Sequence, residues 1–74
     1  MTAEELRLAE LRETFRSADP GAVEAALDRW ADIIERGERL DPAELTGQRF
    51  RRRFRGYNRQ DVAALINRLT LENI

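Results

Sequence analysis

The 74-residue chain carries 13 Arg and 14 acids for a net charge of −1, and it contains no Lys, His or Cys. That composition excludes disulfides and the usual zinc centres, and it removes the residues that ordinarily serve as nucleophile or near-neutral base. The length allows one small domain with a thin core, so association with a partner or a second copy is expected to supplement it. No run approaches the roughly 20 apolar residues that cross a bilayer, and the acidic start (Thr2-Ala3-Glu4-Glu5) is unlike a signal peptide. The expected compartment is the cytoplasm.

Taken in chain order, the first element reads as a helix over residues 3–17. Thr2 and Glu5 have capping-box spacing, and Leu8, Leu11 and Phe15 fall on one face beside Leu6. Asp19-Pro20-Gly21 then supplies an N-cap and a first-turn proline for a second helix over residues 20–36. Its stripe of Val23, Ala26, Leu27, Trp30, Ile33 and Ile34 faces a core, with Gly37 as the stop. The two are expected to fold as an antiparallel helical hairpin with Trp30 wedged between Leu11 and Phe15.

Asp41-Pro42-Ala43-Glu44 repeats the start signal for a short helix that places Leu45 inward before Gly47. Residues 49–58 are the least ordinary stretch, with Arg49, Arg51, Arg52, Arg53 and Arg55 interleaved with Phe50, Phe54, Gly56 and Tyr57. This stretch is expected to be a basic loop. Asn58 caps a closing helix with Val62, Leu65, Ile66 and Leu69 at core spacing, and residues 71–74 either extend it or fray. The expected fold class is therefore all-α: a helical hairpin (1–39), then a short helix, basic loop and closing helix (40–74), packed as one domain.

Charge is segregated along the chain. Residues 1–45 hold twelve acids against six Arg, and residues 46–74 hold seven Arg against Asp61 and Glu72. Such a split points to an anionic partner, or to docking of one half on the other. Arg presents a planar fork suited to carboxylate or phosphate. With Phe54 at its tip, the Arg cluster reads three ways: as a foot on an anionic membrane, as a grip on nucleic-acid phosphates, or as a dock on an acidic protein surface. Phe50 and Tyr57 read as core. No acid pair stands out for catalysis and no carboxylate loop for a metal, so neither enzyme activity, cofactor nor metal is expected.

Leu40-Asp41-Pro42-Ala43-Glu44-Leu45, Phe50, Phe54-Arg55-Gly56-Tyr57-Asn58, Asp61-Val62 and Leu65-Ile66 together resemble the N-terminal lipid-binding domain of the bacterial DivIVA family over residues 40–69. The resemblance implies a dimeric, non-enzymatic module at the inner face of the cell membrane that positions cell-division or polar-growth factors. It implies that Phe54 and Arg55 touch the membrane; by the residue reading Arg49, Arg51, Arg52 and Arg53 would bind beside them, and Gly56, Tyr57 and Asn58 shape the turn. The chain departs from that pattern in having Asn58 for an Asp, Ala63 for a second Asp and a preceding helical segment in place of a following coiled coil. The alternative expectation is an oligomeric protein-interaction adaptor whose Arg loop binds an acidic partner. Nucleic-acid binding ranks third, since the acidic remainder repels a polyanion.

Overall fold

The computed structural model describes residues 1–73. Four helices and two strands follow in the order α1 (Ala3–Arg7), β1 (Glu13–Ala18), α2 (Pro20–Glu35), α3 (Pro42–Thr46), β2 (Arg52–Tyr57) and α4 (Arg59–Glu72). Helix accounts for 55% and strand for 16%, so the fold is mixed α/β, and the all-α expectation is overturned.

The helix starts follow their local signals. Thr2 Oγ1 accepts from the Glu5 N–H at 3.1 Å while Glu5 Oε1 accepts from the Thr2 N–H at 3.2 Å. Asp19, Asp41 and Asn58 cap α2, α3 and α4, with proline next in the first two cases. At the end of α2, Gly37 adopts φ 74° and the N–H groups of Gly37 and Glu38 return to the carbonyls of Ile34 and Ile33. This double bond pattern satisfies carbonyls the helix would otherwise leave open, and it needs a left-handed residue that glycine supplies without a Cβ penalty. Leu71 and Glu72 continue α4 and Asn73 caps it, while Ile74 lies outside the described residues.

The correction falls on residues 8–18. Their apolar spacing suits a helix, yet α1 stops after five residues and the chain turns to become β1. A short amphipathic helix draws little stability from propensity alone. The extended segment at residues 52–57 carries backbone donors and acceptors that need a partner. Pairing the two satisfies both. Glu13 faces Tyr57, Phe15 faces Arg55, Ser17 faces Arg53 and Ala18 faces Arg52, so rising numbers meet falling ones in an antiparallel ribbon. Its ends are closed by Asn58 N–H to Arg12 O at 2.6 Å and Asp19 N–H to Arg51 O at 2.9 Å. The first arm of the expected helical hairpin is thus a five-residue helix and a strand, the second arm is α2, and more than half of the expected basic loop is strand.

The core gathers Leu6 of α1, Val23, Leu27 and Trp30 of α2, Leu40, Leu45 of α3, and Val62, Leu65 and Leu69 of α4. Trp30 is buried in it as expected, with the Arg29 guanidinium 5.9 Å from its ring. Leu11 packs on the rim of this core, whereas Phe15, expected to flank Trp30, is 67% exposed. Both strands run directly into the N-termini of α2 and α4, so the ribbon is held at its base by two capped helices.

Candidate anion-binding aromatic ribbon

The inner side of the ribbon is tied down. Ser17 and Ala18 are buried, and Gly56 lies so close beneath Ala18 that a Cβ there would stand 2.9 Å from the Ala18 carbonyl carbon. Ser17 Oγ donates to the Phe15 carbonyl at 3.0 Å and also bonds Thr14 Oγ1. Tyr57, half-buried on the core, donates its hydroxyl to Glu24 Oε1 at 2.5 Å, and that bond to a carboxylate raises the phenol pKa. At the start of β1, Arg12 clamps Asp61 through its backbone N–H at 3.1 Å, Nε at 2.9 Å and Nη2 at 3.0 Å. The side-chain bonds to Arg12 lead the causes that hold the Asp61 carboxyl below its usual range.

The outer side presents aromatic and cationic groups together. Phe54 is 77% exposed, and its ring meets the exposed ring of Phe15 edge to face at a centroid distance of 5.2 Å and an angle of 62°. Arg55 stacks its guanidinium 5.9 Å from the Phe15 ring. Arg16 sits between these groups with φ 51°, a left-handed conformation rare for a residue with a side chain. In a regular ladder Phe15 and Phe54 would point to opposite faces, because Phe54 lies opposite Arg16 rather than Phe15. The left-handed residue breaks that alternation, in keeping with the two rings meeting.

Of the residues expected in the site, Phe54, Arg51, Arg52, Arg53 and Arg55 share the ribbon or its immediate approach, all exposed. Arg49 stands apart, lining a cavity beside α4. Gly56 and Tyr57 belong to β2 and Asn58 is the α4 cap. Phe15 and Arg16 are additions that the sequence hid, because Phe15 matched a helical stripe. Their only local clue was the β preference of Thr14-Phe15.

The acids of the N-terminal half reach one arginine of this cluster, Arg53, and leave the others unpaired among the described residues. Arg7 pairs with Asp32 and Glu35, Arg29 with Glu44, and Arg68 with Glu5 and Glu72. Arg53 reaches Asp19 at 3.6 Å. Among the described residues, Arg16, Arg49, Arg51, Arg52 and Arg55 have no ion-pair partner. Most of the positive charge of the C-terminal half therefore faces outward, with Arg53 and Arg68 alone of its arginines reaching acids of the N-terminal half among the described residues. Among the described residues, no helix is long and apolar enough to cross a membrane. No protein-family model, curated protein or solved structure matches the chain.

Proposed function

We propose that this chain is a non-enzymatic targeting module that docks peripherally on an anionic membrane through the outer face of its β-ribbon. The observation that carries this proposal is the exposed Phe15–Phe54 pair set among unpaired arginines. Two packed rings left in water represent apolar area that a binding partner would cover. Exposed aromatic rings suit the boundary between headgroups and acyl chains. Each Arg held near an anionic leaflet adds about 1 kcal/mol, so four or five of them with two rings make a credible peripheral anchor. A flat polyanion without an apolar layer would leave the rings uncovered. The similarity of residues 40–69 to the DivIVA lipid-binding domain supports the same conclusion. It adds the expectation of a dimer at the inner face of the cell membrane that helps place division or polar-growth factors.

Co-sedimentation with vesicles tests the proposal. The chain is expected to pellet with phosphatidylglycerol-containing vesicles and not with phosphatidylcholine alone, and to be released as added salt screens the Arg charges. Replacing both rings, Phe15→Ser with Phe54→Ser, should weaken binding by at least about tenfold, since burying each ring is worth roughly 1.5–3 kcal/mol. Unchanged binding in that folded double variant rules out membrane docking through the ribbon.

A further inference from the structure

On the side of the ribbon away from its exposed rings, a cavity of about 130 Å³ opens between the strand approach and the N-terminal half of α4, with Ala18, Phe50, Val62, Ala63 and Ile66 as its apolar wall and Gln48, Arg49 and Arg59 as its polar one. Its size decides what fits. Small-molecule sites run to roughly 300–1,000 Å³, whereas a dry cavity near 150 Å³ takes one benzene. This cavity therefore has room for one side chain, and its apolar wall suits an aliphatic one.

The two guanidinia set the charge of that occupant. Neither Arg49 nor Arg59 has an ion-pair partner among the described residues. Arg59 occupies the first position of α4, where the helix dipole disfavours a cation, so helix stability does not explain it. Both arginines border a pocket sized for a single residue, which places the anion within a bond or two of the inserted side chain. An α-carboxylate meets that requirement, because it hangs from the same Cα.

We infer that this cavity binds the C-terminal residue of a partner protein, with its aliphatic side chain among Phe50, Val62, Ala63 and Ile66 and its α-carboxylate on Arg49 and Arg59. The site is separate from the ribbon's exposed rings, so a chain docked by one face would present the other to a protein. Arg–carboxylate bonds are charge-assisted and geometrically selective, and capture of a chain terminus is an established mode of peptide recognition.

The test is a titration of the isotope-labelled full chain with short N-acetylated peptides ending in Leu, Ile or Val, each as free acid and as C-terminal amide, followed by NMR. The acids are expected to shift the amide signals of Phe50, Ala63 and Ile66, with amidation weakening binding about tenfold or more. Arg59→Gln should reproduce the loss seen on amidation. Ala63→Leu, at an exposed helix position, should fill the cavity and abolish the shifts with the circular dichroism of the chain unchanged. The inference is overturned if acid and amide bind alike. It is equally overturned if no acid moves these signals at millimolar concentration, or if the shifts fall on the ribbon. Vesicle binding is read separately, so failure at one site is distinguishable from failure at the other.

Discussion

Two residues set the shape of the ribbon by opposite means. Gly56 is required for what it lacks: an added Cβ would press on the backbone of Ala18 and come within 3.3 Å of the Ser17 carbonyl carbon. Backbone in a paired strand cannot swing aside as a flexible side chain would. Gly56→Ala should therefore cost about 3 kcal/mol or more in urea unfolding, and a loss under about 0.5 kcal/mol would show that the strands separate without penalty. Arg16 carries a conformation that suits it poorly. Left-handed backbone costs an L-residue about 1–2 kcal/mol, while glycine adds about 0.5–1 kcal/mol of unfolded-state entropy. Arg16→Gly is accordingly expected to stabilise the fold by up to about 1 kcal/mol, and Arg16→Val to destabilise it. Denaturant midpoints of the two variants check this directly, and the reverse order would remove the kink as the reason the two rings meet. Strain kept beside an exposed aromatic pair fits a site held in shape for binding.

At the scale of elements, the question is why residues 8–18 leave the helix their spacing suggests. Leu8, Leu11 and Phe15 would have formed an apolar stripe, but Leu8 and Phe15 end exposed and only Leu11 reaches the core. The competing gain is the ladder between β1 and β2, extended by the Arg12 clamp on Asp61 in the first turn of α4. That clamp makes the join between β1 and α4 sensitive to acid. The Asp61 carboxyl titrates lower in the folded chain than in the unfolded one, so its contribution is fully present above the unfolded carboxylate pKa. It is lost as pH falls through the folded value. Asp61→Asn should flatten the acid limb of a stability-against-pH curve while leaving its shape above neutrality unchanged. An unaltered acid limb would show that Arg12 and Asp61 do not couple the two elements. Glu35 beside Arg7 and Glu72 beside Arg68 are also held low, so the wild-type limb is a sum from which this variant removes one part.

For the whole molecule, the segregation of charge along the chain becomes segregation in space. Of the α2 acids, Asp32 and Glu35 pair with Arg7 and Glu24 accepts from the Tyr57 hydroxyl, while Arg29 of the same helix pairs with Glu44 of α3; a groove of about 900 Å³ runs past Glu10, Glu24, Asp28 and Asp61 with Arg7 and Arg12. The arginines of β2 and its approach face outward with the two rings. Much of this was legible beforehand. Thr2, Asp19-Pro20, Gly37, Asp41-Pro42 and Asn58 marked helix ends, and the Val23-to-Ile34 stripe placed Trp30 inside. Each of these signals acts over one turn of chain, within reach of local hydrogen bonds and i, i+3, i+4 packing. The exposed Phe54 and its arginines were legible too, as the densest charge in the chain. The strand partner of that segment was not. Pairing of β1 with β2 joins residues on opposite sides of two intervening helices, and only the tertiary structure compares that ladder with the weak helix it displaces. The same long-range choice brought Phe15 to Phe54, and so decided which aromatic pair the arginines surround.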